Sequence, residues 1–131
     1  LPMLDSWHEG RRRHAAWYFE RLTALTPEEI VLPREVVPEG RHIYNQFTVR
    51  VKQGRRDALQ AHLKARGIGS AIYYPIALHE QPCFQYLGYA KGQLPATELA
   101  CQEVLSLPVY PEMTEAMLED VAQGLLSFFG K

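Results

Sequence analysis

Apolar residues recur at three- and four-residue steps from Leu4 to about Leu25, with Leu4, Trp7, Ala15, Tyr18, Leu22 and Leu25 on one side. That spacing predicts one helix, interrupted by Arg11, Arg12 and Arg13, weakened at Gly10 and ended by Thr26-Pro27. Residues 27–41 carry Pro27, Pro33, Pro38 and Gly40 and read as an extended connector that separates this helix from the rest. The period then changes to two: Ile43, Phe47, Val49 and Val51 face one way, and Gln46, Thr48, Arg50 and Lys52 the other. This is a half-buried strand over 43–51, with Asn45 out of place on its apolar side.

Helical spacing returns after Gly54. Leu59 and Leu63 with Ala58 predict a helix over 55–66, stopped by a left-handed cap at Gly67 with Ile68 folded back onto Leu63. Residues 70–74 read as a second strand ended by Pro75, so strand, helix, strand forms the nucleus, and the pairing of the two strands stays open. A stretch rich in Pro and Gly follows to Leu94, carrying His79, Phe84, Tyr86 and Tyr89. A third helix is predicted over 95–105 with Pro95 in its first turn, then a brief strand at 105–107. Thr114 caps a last helix whose buried stripe is Met117, Leu118, Val121, Leu125, Leu126 and Phe129. The sum is an α/β chain of α+β type, with helices laid on a short sheet.

Composition narrows the function. The 131 residues suit one modest core, and a net charge of −1 argues against nucleic acid or an anionic membrane as main partner. No apolar run approaches the ~20 residues of a membrane span, and no secretory signal opens the chain. Cys83 and Cys101 lack metal or disulfide spacing and read as free thiols of a reducing cytoplasm. The lack of a Met before Leu1 suggests a chain that begins inside a longer protein. The arginine run reads as a solvated helix face in preference to a phosphate clamp.

No catalytic signature is present: no G-x-S-x-G, H-E-x-x-H or glycine-rich phosphate loop. His8, His14 and His62 sit on predicted helices and read as surface groups. The segment Ile72-Tyr73-Tyr74-Pro75-Ile76-Ala77-Leu78-His79-Glu80-Gln81-Pro82 is the one that looks functional. It leaves a strand end, where binding groups concentrate, and carries two phenols and an imidazole suited to hydroxyls and flat rings. The bland reading fits equally: Tyr73 and Tyr74 cap a small core and His79 is exposed.

In order and spacing, several segments resemble the C-terminal part of the DegT/DnrJ/StrS family of nucleotide-sugar aminotransferases. They are Leu4-Asp5 through the basic helix to Leu22, Ile43-Tyr44-Asn45-Gln46-Phe47, Arg56-Asp57-Ala58-Leu59, Gly67-Ile68-Gly69, and Tyr73-Tyr74-Pro75 with Leu78-His79. Leu87-Gly88-Tyr89, Leu94-Pro95-Ala96-Thr97-Glu98 and Leu105-Ser106-Leu107-Pro108-Val109-Tyr110-Pro111 complete the set, which spans nearly the whole chain.

The resemblance implies the small C-terminal α/β domain of fold type I aminotransferases, with a short, mostly antiparallel sheet covered by helices. Residues 1–26 would link to a large domain outside the chain, 27–41 would be the linker, and 42–131 the small domain. It also implies a cytoplasmic homodimer in which pyridoxal phosphate (PLP) on a lysine of the large domain passes an amino group, typically from glutamate, to a keto-sugar on a nucleoside diphosphate. Lys52, Lys64, Lys91 and Lys131 match no such lysine, so the isolated chain is expected to bind no cofactor and to be inactive. Substrate contacts would fall to Tyr73, Tyr74 and His79, Tyr74 and His79 foremost, with Asn45 and Gln46 as secondary contacts or as groups that order the strand end. Many relatives have His at the Tyr73 position, and Ala77 replaces a common proline, which would loosen the loop. A non-catalytic regulatory or sugar-binding module of the same family is the alternative. An apolar stripe left exposed on the first helix would drive the separate chain to associate.

Overall fold

The computed structural model describes residues 2–36 and 40–131; Pro38 of the expected connector lies outside them. Helix α1 runs Leu4–Arg21, with Asp5 in its first turn and Arg21 in its last, where each charge suits the helix dipole. It stops short of Leu25 because the chain turns: the Leu25 N–H donates to the Leu22 carbonyl at 3.1 Å. Leu22 and Leu25 are therefore buried from a turn, and Trp7, at the other end of the stripe, stays exposed.

The connector is not a spacer. Ile30–Val31 form strand β1, which pairs antiparallel with strand β2 (Phe47–Val51), Ile30 opposite Val51. This turn back lays α1 on the sheet it was expected to stand apart from. Ala15, Tyr18 and Leu22 join one core with Phe47, Val49, Leu105 and Leu125. Each large side chain so buried contributes about 1.5–3 kcal/mol.

Strand β2 is shorter than the alternation predicts. Tyr44 takes a left-handed backbone, φ 46°, and turns its own ring inward in place of Ile43. The Tyr44 hydroxyl donates to Glu35 Oε1 at 3.0 Å, and its backbone N–H to His42 Nδ1 at 3.0 Å. Burial, together with the Glu35 hydrogen bond and charge, pushes the phenol up to about 12. Asn45 and Gln46 are thus thrown outward before the strand begins.

Helix α2 (Arg56–Ala65) buries Leu59 and Leu63 and ends as its sequence predicts. Gly67 is left-handed at φ 76°, and the Ile68 N–H returns to the Leu63 carbonyl at 2.9 Å. The strand predicted over 70–74 shrinks to one bridge, Ala71 opposite Ser106. Helix α3 (Pro95–Glu103) gives way directly to strand β3 (Val104–Leu107), which pairs antiparallel with β2. The sheet order is β1-β2-β3, all antiparallel. Since β3 runs against both β2 and Ala71, the two segments of the expected nucleus lie parallel with β3 between them.

Helix α4 (Glu115–Phe128) starts at Thr114, whose hydroxyl accepts the Met117 N–H at 3.3 Å. It buries Leu118, Val121, Leu125 and Leu126 as predicted, while Met117 is exposed and Phe129 half-buried beneath Arg55. Across the sheet from these helices, Glu103 ends α3 and binds Arg50 and Lys52, each at 2.8 Å. Burial raises the Glu103 carboxyl, but the two cations more than offset it and hold it below the usual range.

Candidate functional site

Two local devices open a cavity of about 780 Å³ beside the sheet. The Gly67 cap sends residues 68–71 along β3, where Ala71 and Ser106 exchange both backbone hydrogen bonds, at 3.1 and 2.7 Å. On the other flank, the strap from Pro108 to Met113 is held off the sheet by α1. His14 Nδ1 lies 3.0 Å from the Tyr110 carbonyl, and the Tyr18 hydroxyl donates to Pro108. His14 is therefore tied down rather than a free surface group.

The cavity has an apolar floor of Leu107, Val109, Met113 and Val121, and a rim of Asn45, Gln46, Ser70, Tyr73 and Tyr110. Arg66 and Asp120 supply its two charged lining groups. An apolar floor with convergent amide and hydroxyl groups suits a flat or cyclic ligand bearing hydroxyls. Ser106 is the buried hydroxyl of the wall, and Thr48 Oγ1 satisfies it at 2.8 Å.

Of the residues singled out from sequence, Asn45, Gln46 and Tyr73 meet at this rim. Tyr74 does not line it; its ring stands edge-on to Tyr73, centroids 5.8 Å apart, and is 66% exposed. His79 sits elsewhere, 7% exposed, in a separate hollow with Phe84, Leu87 and Tyr89. The bland expectation is inverted: the tyrosines are in solvent and the imidazole is inside. Burial is possible because Nε2 lies 3.1 Å from Glu98 Oε1, which leaves that polar atom satisfied. Burial raises the Glu98 carboxyl, yet hydrogen bonds from the Gly92 N–H, His79 and the Leu94 N–H more than compensate and hold it below the usual range. Ala77, expected to loosen the loop, is buried and accepts the Glu80 N–H at 3.0 Å.

Sequence reasoning missed Arg66, Ser70, Tyr110 and Asp120. Tyr110 carried a signal, a phenol two residues after one proline and directly before another. Arg66 and Asp120 carried none, being ordinary charges at the end of one helix and on the first half of another.

No lysine lines the cavity. Lys52 is engaged by Glu103, Lys131 lies 3.6 Å from Glu29, and Lys64 and Lys91 are exposed away from the rim. A cofactor held as a Schiff base does not fit the groups of this chain. Among the described residues no cluster of three His, Cys, Asp or Glu could hold a metal, and no helix is long and apolar enough to cross a membrane.

Comparison with known proteins places this geometry. The chain is 45% identical over 130 residues to a pleiotropic regulatory protein of Geobacillus stearothermophilus, covering 98% of this chain and 34% of that protein. It is 40% identical over 123 residues to a UDP-N-acetyl-3-dehydro-alpha-D-glucosamine 3-aminotransferase of Acidithiobacillus ferrooxidans, covering 93% of this chain and 31% of that one. A crystal structure of DesV from S. venezuelae, in complex with a ketimine intermediate, superposes with a TM-score of 0.91 at 34% identity, over 100% of this chain and 34% of that one. The chain thus spans about a third of the length of the relatives it matches. Its α+β architecture is that of the small domain of fold type I aminotransferases. Since the model of the DegT/DnrJ/EryC1/StrS aminotransferase family also matches residues 1–126, the chain belongs to that family.

Proposed function

We propose that this chain is the small, substrate-facing domain of a PLP-dependent enzyme that transfers an amino group, typically from glutamate, to a keto-sugar on a nucleoside diphosphate. The observation that carries the reading is the cavity whose rim joins the Asn45-Gln46 pair to Tyr73, from a distant part of the sequence, over an apolar floor. Tyr74 packs edge-on against Tyr73 outside the cavity lining. The named activity of the Acidithiobacillus relative supports a nucleotide-linked sugar, and the ketimine complex of the structural neighbour supports PLP chemistry. In this reading the lysine that carries PLP belongs to a large domain outside the chain, reached through α1. The whole protein is a cytoplasmic homodimer, and the 131 residues alone are inactive.

The test is the complete gene product, purified with PLP and offered glutamate and a nucleotide-linked keto-sugar. An aldimine absorption band and an aminated sugar are expected. A reading frame without a lysine-bearing domain would end this account. A second reading is favoured by the Geobacillus relative, a regulatory protein. A complete protein that binds the nucleotide-sugar without turning it over would select that reading.

A further inference from the structure

Tyr73 and Tyr74 are slung between two anchors. One is Ala71, fixed to Ser106 on β3. The other is the 3-10 turn Leu78–Glu80, which carries His79. From that turn the chain wanders through a second 3-10 turn, Pro82–Leu87, and an open loop before it enters α3. Its surface here is apolar, with Leu78, Tyr86, Leu87 and Tyr89 exposed, so little core holds it.

Among the described residues, the side-chain hydrogen bonds that join its separate limbs converge on one carboxylate oxygen. Glu98 Oε1 accepts the Gly92 N–H at 2.7 Å and the Leu94 N–H at 3.3 Å, and lies 3.1 Å from His79 Nε2. Leu94 is the N-cap of α3 and has no side-chain cap of its own, so Glu98 reaches back from within the helix to do that work. The same atom therefore ties the start of the flap, its far limb and the helix end.

We propose that His79 and Glu98 are the latch of a flap over residues 79–98, and that His79 serves the site by positioning the Tyr73-Tyr74 edge, without touching substrate. The positioning half rests on the function proposed above; the latch half does not.

Lys91 makes the latch measurable. It is the one Lys or Arg between Arg66 and Lys131, it is exposed, and its bond to Gly92 is pinned by the Glu98 contact. In the full-length protein under limiting trypsin, Glu98→Ala and His79→Ala should speed cleavage after Lys91 about tenfold or more. Glu98→Gln and His79→Gln, which keep a hydrogen-bonding atom, should do so less, and cleavage after Arg55 and Lys64 should not change. Unaltered cleavage after Lys91 overturns the latch. So does equal acceleration after Arg55 and Lys64, since the pair would then hold the whole domain. In the same variants KM for the nucleotide-sugar should rise about tenfold with kcat within about twofold, and the Gln variants should recover most of it. An opened flap with unchanged KM overturns the positioning role. If the parent enzyme turns nothing over, the proposed function fails, and the cleavage pattern still decides the latch.

Discussion

The Tyr18 hydroxyl donates to the Pro108 carbonyl at 3.0 Å, and this bond fastens the first helix to the strap beyond β3. Burial, with a smaller contribution from the Tyr110 charge, pushes the Tyr18 phenol far above its ordinary value, so it remains a donor throughout the working pH range. The ring packs on Phe47 at 5.0 Å between centroids. Tyr18→Phe removes only the hydrogen bond and should cost about 1 kcal/mol. Tyr18→Ala also leaves a cavity and should cost about 3–5 kcal/mol. Urea unfolding of the chain measures both; equal losses would mean that the ring contributes nothing.

Gly10 and Gly124 look alike in sequence, each a glycine inside a helix, and should respond in opposite senses. A Cβ on Gly10 would meet Pro111 Cβ at 2.9 Å and Pro111 Cα at 3.0 Å, and the backbone of the strap cannot swing aside. Gly10→Ala should therefore lose more by crowding, about 1–3 kcal/mol, than the ~1 kcal/mol of helix propensity it gains. At Gly124 the added carbon meets Leu63 Cδ2 at 2.8 Å and Ile68 Cδ1 at 2.9 Å, both far ends of side chains, which give more readily than backbone. Gly124→Ala should be neutral or slightly stabilising, and the two melting temperatures decide it.

Arg21 and Glu119 join α1 to α4 through two hydrogen bonds, at 3.0 and 2.6 Å. The Arg21 hydrogen bond, aided by Gln123, draws the Glu119 carboxyl down to about 2 from an ordinary 4.5. A carboxyl depressed in the folded state stabilises above its unfolded value and loses that contribution as pH falls from about 4.5 toward 2. Glu119→Gln should flatten this acid limb while leaving its shape near neutrality unchanged. Unfolding midpoints across that window check it; a variant with the same acid limb would place the transition on other carboxyls.

The cavity rim predicts a pattern of Michaelis constants in the full-length protein. Asn45→Ala and Tyr73→Phe each remove one hydrogen-bonding group facing the cavity and should raise KM for the nucleotide-sugar several-fold to about tenfold. Lys64→Ala, exposed and not among the groups that line the cavity, should leave KM unchanged. Equal effects at all three would remove the cavity from consideration.

Much of the fold was legible. The α2 stop at Gly67, the Thr114 cap and the α4 stripe from Leu118 to Leu126 are local matters of spacing and backbone freedom, and each appears where it was read, although Met117 at the head of the stripe is exposed. Strand β1 was not legible, because two residues among prolines carry no period, and only pairing with Val51 and Arg50 makes them a strand. Nor was the inward turn of Tyr44, which depends on Glu35 being there to accept its hydroxyl. At the site, Tyr73 was singled out from a loop at a strand end and Asn45 and Gln46 from the family resemblance, and the three line one cavity, while the burial of His79 was hidden. That burial follows from a partner nineteen residues onward and from no property of the histidine itself.

By itself the sequence determined that the helices form, the caps at Gly67 and Thr114, the inner part of the central strand and the ordered motifs of its family, since these rest on neighbours within a few residues along the chain. Tertiary structure alone decided that β3 lies between the two segments of the expected nucleus, that α1 joins the core, and which aromatic groups face open space. Those outcomes depend on which distant backbone and side-chain groups satisfy one another, and one carboxylate placed at Glu98 is enough to turn an apparent ligand group inward.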